Sequence, residues 1–154
     1  MRTSLAAILA LAATALPVHA EGDVAKGEKL FGQCRACHAI TEPDGNVIFK
    51  GGVTGPDLHG IIGRKIASVD GFRYGDGILE LAEKFPDAVW DIHSLTEYSK
   101  DPGGYLKVHT GDKRAKTKMT FRLNKGHEDL MAYLLSVSPD APEQPAEDGG
   151  APLP

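Results

Sequence analysis

Cys34-Arg35-Ala36-Cys37-His38 holds both cysteines of the chain and decides how the rest is to be read. Cys-x-x-Cys-His is the pattern of covalent haem attachment: the two thiols become thioethers to the vinyl groups, and the adjacent imidazole takes the iron from one face. The spacing has a geometric reason, because residues three apart sit on one side of a helical turn. Two other chemistries use paired cysteines. A redox-active dithiol of the thioredoxin-like kind expects a preceding strand in a βαβ pattern, whereas the segment before Cys34 reads as helix. Structural zinc wants four ligands, and the chain has no second cysteine pair.

Outward from that motif, the sequence reads as short helices separated by long irregular stretches. Asp23 can cap a helix in which Val24, Gly27, Leu30 and Phe31 fall on one stripe and Lys26, Glu28 and Lys29 face water; this helix delivers Cys34. From Thr41 to Gly63 the run of Pro43-Asp44-Gly45, Gly51-Gly52 and Gly55-Pro56 predicts loop, wrapped around something other than a sheet. A short amphipathic helix is expected over Asp76 to Phe85, stopped by Pro86. A second runs from about Asp91 to Lys100 before Pro102, with Ser94-Leu95-Thr96-Glu97 as an alternative start. Asn124 opens the last helix, Glu128 and Asp129 favour its positive end, and Leu130, Tyr133, Leu134 and Val137 form its buried face.

The ends carry different signals. Met1-Arg2, the apolar run Leu5 to Val18 and Val18-His19-Ala20 read as a signal peptide cleaved after Ala20, since a bilayer-spanning helix needs about 20 apolar residues. Residues 21–138 then form one domain. Residues 139–154, with four acids, no base and repeated prolines, are expected to be a disordered tail. Loss of Arg2 with the leader leaves 16 Lys plus Arg against 21 Asp plus Glu, which argues against nucleic acid as a partner.

These segments together resemble a class I cytochrome c, specifically a bacterial cytochrome c2 of the larger type, close to the soluble c-550 cytochromes. The likeness is carried by Gly22 to Phe31, the haem motif, Gly55-Pro56-Asp57-Leu58-His59-Gly60-Ile61-Ile62-Gly63-Arg64-Lys65, Lys116-Thr117-Lys118-Met119-Thr120-Phe121 and Leu130-Met131-Ala132-Tyr133-Leu134, in the family order. The resemblance implies a mostly α fold, short helices and loops around one covalent haem c, in a monomeric periplasmic electron carrier rather than an enzyme.

Candidates for the sixth position on the iron are few. Met131 falls beside core positions, where methionine fills gaps; His109 as ligand, or an open site, are the alternatives to Met119. The resemblance matches Met119 to the family ligand. A Met/His pair favours Fe(II), raises the potential relative to two histidines, and leaves little room for substrate, so a haem enzyme such as a peroxidase or nitrite reductase is the competing class. By the same resemblance Pro56 accepts the ring N–H of His38. Arg64, Tyr74, Trp90 and Thr117 surround the haem propionates, Tyr98 packs near the ligand sulfur, and Phe121 lies beside the haem edge. Gly27, Phe31 and Tyr133 are expected where the first and last helices meet. Three departures stand out: a longer segment between Tyr105 and Thr117 than in mitochondrial relatives, Val53 where many relatives carry lysine, and Ser99 where an apolar residue is usual.

Charge is unevenly spread. From Lys100 to Lys125 there are eight bases against Asp101 and Asp112, on a chain that is acidic elsewhere. A positive patch bracketing Met119 would steer the haem edge towards acidic partner faces, with Lys100, Lys107, Lys113, Lys116 and Lys118 as docking residues. The family's partners include the cytochrome bc1 complex, terminal oxidases, periplasmic reductases or dehydrogenases, and the photosynthetic reaction centre.

Overall fold

The computed structural model describes residues 22–142; the expected leader and residues 143–154 of the expected tail lie outside the described residues. Five helices and one small hairpin follow in order: α1 Val24–Phe31, β1 Ile40–Thr41, β2 Val47–Phe49, α2 Asp76–Lys84, α3 Ile92–Lys100, α4 Pro102–Thr110 and α5 His127–Ser136. None of these helices is long and apolar enough to cross a membrane.

Helix α1 starts where expected. The Asp23 side chain accepts from the Lys26 N–H at 3.0 Å, satisfying one of the free donors of the first turn. Of its stripe, Gly27 and Phe31 are buried, whereas Val24 is 45% exposed at the outer end. The buried pair meets α5. A Cβ on Gly27 would lie 1.9 Å from the Asp129 carbonyl oxygen and 2.7 Å from Tyr133 Cβ, so the two backbones touch there. Phe31 packs its ring 5.8 Å from that of Tyr133 and edge-on to Phe49 at 4.8 Å. Asp129 also accepts the Asp23 N–H at 2.8 Å, locking the start of α1 to the first turn of α5. That crossing is the structural contact the sequence placed at Gly27, Phe31 and Tyr133.

The segment expected to be loop from Thr41 contains a hairpin. β1 and β2 pair antiparallel, Ile40 with Phe49 and Thr41 with Val47. Pro43-Asp44-Gly45 makes the turn: Gly45 takes φ +92°, and Asp44 accepts the Asn46 N–H at 3.0 Å. The turn residues that argued against regular structure are the ones that close the hairpin. Beyond β2, residues 50–75 form no helix or strand.

Helix α3 takes Asp91 as its cap, with Ser94 at the third position completing a reciprocal capping box, so the alternative start at Ser94 is not used. Pro102, read as a stop, instead opens α4. At the first helical position proline loses no hydrogen bond, and Asp101 ends α3 while capping α4 through the Gly104 N–H at 3.1 Å. The long segment after Tyr105 is therefore helical through Thr110, and stops at Gly111 with φ +81°. Lys84 donates to the carbonyls of His109 and Thr110, both at 3.0 Å, satisfying the exposed end of α4. Helix α5 starts at His127, three residues after the expected Asn124. Gly126, at φ +78°, turns the chain into it and supplies the carbonyl for Leu130.

The chain stays on the domain beyond α5. Ser138 Oγ accepts the Ile62 N–H at 3.1 Å, and Pro142 Cδ would stand 2.6 Å from a Cβ on Gly63. Residues 139–142 are thus packed against the 60–63 segment.

Candidate functional site

The cysteine motif continues the turns of α1. Cys34 N–H donates to the Phe31 carbonyl at 2.8 Å, and His38 N–H to that of Cys34 at 3.0 Å, so the two sulfurs and the imidazole leave one side of a coiled segment. Cys34 and Cys37 are not joined in a disulfide, and burial, helped by Cys37, pushes the Cys34 thiol up to about 11.

Three glycines let the next loop lie directly on this segment. A Cβ on Gly51 would fall 1.7 Å from the His38 carbonyl oxygen, one on Gly52 2.3 Å from that of Ala36, and one on Gly55 2.4 Å from the His38 ring. No side chain fits at any of them. The closeness positions Pro56, whose carbonyl accepts the His38 Nδ1–H at 2.7 Å. That bond fixes the tautomer, because a carbonyl can only accept, and it leaves Nε2 as a lone-pair donor. Burial holds the ring below the ordinary histidine pKa, against the opposing effect of Pro56.

Beside the motif lies a mainly apolar cavity of about 260 Å³. Cys34, Cys37, His38, Pro56, Arg64, Tyr74, Trp90, Tyr98, Thr117, Met119 and Phe121, the site residues expected from sequence, all line it. His109 does not; its ring packs on Tyr105, centroids 4.2 Å apart. Met131 also reaches the cavity, from within α5 and only 2% exposed, as a core residue. Met119 comes from a loop held by Thr117, whose Oγ1 accepts the Met119 N–H at 3.0 Å and lies 3.3 Å from the Tyr98 hydroxyl.

The cavity is chemically asymmetric. Arg64 lines it with its guanidinium donating to the carbonyls of Asp57 at 2.7 Å and His59 at 3.3 Å, and burial lowers its pKa. Among the described residues it forms no ion pair. A largely buried cation with only neutral acceptors suits an anionic group in the cavity. The Tyr74 hydroxyl accepts the Val69 N–H at 3.1 Å near the same wall, and Trp90 is 5% exposed. Two thiols and an imidazole on one side, a thioether and aromatic rings around, and an unpaired guanidinium match an apolar iron macrocycle bearing carboxylates.

Sequence reading missed several features here. His59 engages through its backbone, donating N–H to Asp57 at 2.8 Å and accepting from Arg64. The buried hydroxyl of Ser99, one of the departures, is satisfied by donating to the Thr96 carbonyl at 2.8 Å. Lys118 reaches back to the carbonyls of Arg73 and Tyr74, at 2.9 and 3.2 Å, contacts across 45 and 44 residues that no local pattern announces.

A small helical domain built round Cys-x-x-Cys-His at the wall of an apolar cavity is the architecture of a c-type cytochrome. No protein-family model matches the chain. It is 56% identical over 152 residues to cytochrome c-550 of Paracoccus versutus, covering 98% of this chain and 99% of that one. With cytochrome c2 of Rhodobacter capsulatus it shares 46% over 138 residues, covering 89% and 98%. The crystal structure of cytochrome c2 from Paracoccus denitrificans superposes with a TM-score of 0.78 at 57% identity, covering 79% of this chain and all of that one. The chain belongs to the cytochrome c2 and c-550 family of class I cytochromes c, electron-transfer proteins that carry one covalently attached haem c.

Proposed function

We propose that this protein is a soluble periplasmic carrier that shuttles one electron at a time through the exposed edge of its haem, after cleavage of residues 1–20. The observation that carries the reading is the fixing of His38 by Pro56 beside Cys34 and Cys37, on a cavity that Met119 also lines. Bound there, haem supplies the one-electron Fe(III)/Fe(II) couple. Cys34 and Cys37 would tether it, His38 Nε2 and the Met119 sulfur would supply donors to its iron, and Arg64, Tyr74, Trp90 and Thr117 would receive its propionates. Pro56 orients His38, Tyr98 steadies the Met119 loop through Thr117, and Phe121, 38% exposed, borders the route by which the electron leaves. Apolar walls disfavour the added charge of the oxidised state and so raise the potential.

Intact mass of the periplasm-expressed protein tests the root of this reading. The mass should exceed that of residues 21–154 by one haem, and the colour should stay with the polypeptide after acid-acetone extraction. A mass showing only a disulfide, with all colour extracted, would overturn it.

Docking is proposed to run through the basic segment after α3, towards acidic faces on a bc1 complex, a terminal oxidase, a periplasmic reductase or dehydrogenase, or a reaction centre. Lys107, Lys113 and Lys116 are exposed, and Lys116 and Lys118 lie at the cavity wall. Lys100 is ion-paired to Glu97 at 2.7 Å, which tempers its share. Charge reversal at Lys116 should slow second-order oxidation by an acidic-faced partner on the order of 10-fold at low salt, with the deficit shrinking as salt rises. Lys84 is no control for such an experiment, because its ammonium caps α4. Lys29, exposed on α1 and away from the cavity lining, serves instead. Equal losses from Lys29 and Lys116 reversal, or a wild-type rate that climbs with salt, would refute the patch.

A further inference from the structure

We propose that Ser99 lowers the reduction potential of this protein by placing the negative end of a buried hydroxyl in the wall of a mainly apolar cavity; this rests on the reading of that cavity as the haem site. Four serine or threonine side chains are buried among the described residues, Ser94, Ser99, Thr110 and Ser138, and of these Ser99 alone lines the cavity. It is 6% exposed. Its neighbours in the wall are apolar. Leu95 lies one turn back on α3, and Leu123 reaches Ser99 through its backbone, donating N–H to the Ser99 carbonyl at 2.9 Å.

The hydroxyl has a fixed sense. Oγ donates its one hydrogen to the Thr96 carbonyl at 2.8 Å, back along α3, so the oxygen with its lone pairs is the end turned away from the helix. In surroundings of low dielectric a partial negative charge favours whichever state of the haem carries more positive charge, and that is the oxidised one. Ser99 therefore acts against the thioether and the apolar walls, which favour the reduced state. A lower potential makes the reduced protein a stronger donor to its acceptor and the oxidised protein a weaker acceptor from its donor. The departure from an apolar residue at this position thus acquires a redox meaning.

The test compares Ser99→Val with Ser99→Thr in the holoprotein, two variants of one shape that differ by a methyl in place of the hydroxyl. Threonine keeps the donor, which in a helix can bond the carbonyl three or four residues back. In a redox titration followed by absorbance, Ser99→Val should be about 3-fold more reduced than wild type at a fixed solution potential, a midpoint about 30 mV higher at 59 mV per tenfold for one electron. Ser99→Thr should change that ratio by less than about 1.5-fold. Ser136 is the control: its Oγ makes the same kind of back bond, to the Tyr133 carbonyl at 2.7 Å, but it is exposed and off the cavity lining, so Ser136→Val should leave the midpoint unchanged. Equal shifts in Ser99→Val and Ser99→Thr would assign the effect to the added methyl, and loss of the sulfur-to-iron charge-transfer band in Ser99→Val would assign it to the ligand. Either result, or a midpoint in Ser99→Val that stays put or falls, would overturn the proposal. Failure of the underlying reading shows earlier and separately, as a wild-type mass without bound haem.

Discussion

Met119→Ala in the holoprotein is expected to abolish the sulfur-to-iron charge-transfer band, to admit small ligands such as imidazole or cyanide, and to lower the reduction potential on the order of 0.1–0.3 V, within the ≈ 0.8 V over which axial ligands set haem potentials. Thioether is a soft, weakly donating ligand that favours Fe(II), and alanine puts no donor in its place. Water entering beside the iron would add dielectric that favours the oxidised charge, so both changes act in the same direction. The contrast is with the two rivals. His109 packs on Tyr105 away from the cavity, and Met131 is fixed in the α5 core, so their substitution should leave the band in place. Absorption and redox titration of the three variants decide the matter. Retention of the band in Met119→Ala, with loss in either of the others, would reassign the ligand.

Gly27→Ala is expected to be strongly destabilising for a single-methyl change, about 3 kcal/mol or more, the upper end of overpacking costs. Its Cβ would fall 1.9 Å from a backbone carbonyl oxygen on α5 and 2.7 Å from Tyr133 Cβ, so no rotamer change relieves the clash and the helices must separate. Separation loosens the Phe31 and Tyr133 contact and the bond between Asp23 and Asp129. The urea midpoint should fall by roughly 1–3 M at the usual slope for a small domain. Gly45→Ala provides the scale. Gly45 has φ +92° and open space around it, so alanine there should cost only the left-handed strain of about 1–2 kcal/mol. Equal midpoints for the two variants would show that α1 and α5 are not held at this contact.

Legibility differed by the range of the interaction. Asp23, Asp91 and the stretch from Asp76 to Lys84 could be read because caps and amphipathic spacing act within a few residues. Helix α4 is not announced by the sequence, because the glycines after Pro102 argue locally against helix. What secures it is tertiary: burial of Tyr105 and Leu106, and the Lys84 ammonium arriving from α2. The hairpin from Ile40 to Phe49 was hidden for the opposite reason, since strands of two and three residues are too short to show alternation between turn signals.

The chemistry lay in the linear order. Cys34, Cys37 and His38 are adjacent, their spacing is dictated by bonds to one ring, and a Met119 segment of family type has few rivals in the chain. What linear order leaves undetermined is which side chains hold these groups in place. The bond from His38 to Pro56 spans 18 residues, and that from Lys118 to Arg73 spans 45. Arg64 lacks an acid partner only because Asp57 offers it a carbonyl rather than its carboxylate, which binds Thr41 and His59 N–H groups instead. Bonds within a turn follow from the identity of a few neighbours, whereas these depend on where the whole backbone comes to rest, through contacts such as Gly55 on the His38 ring that exist only once the domain has closed.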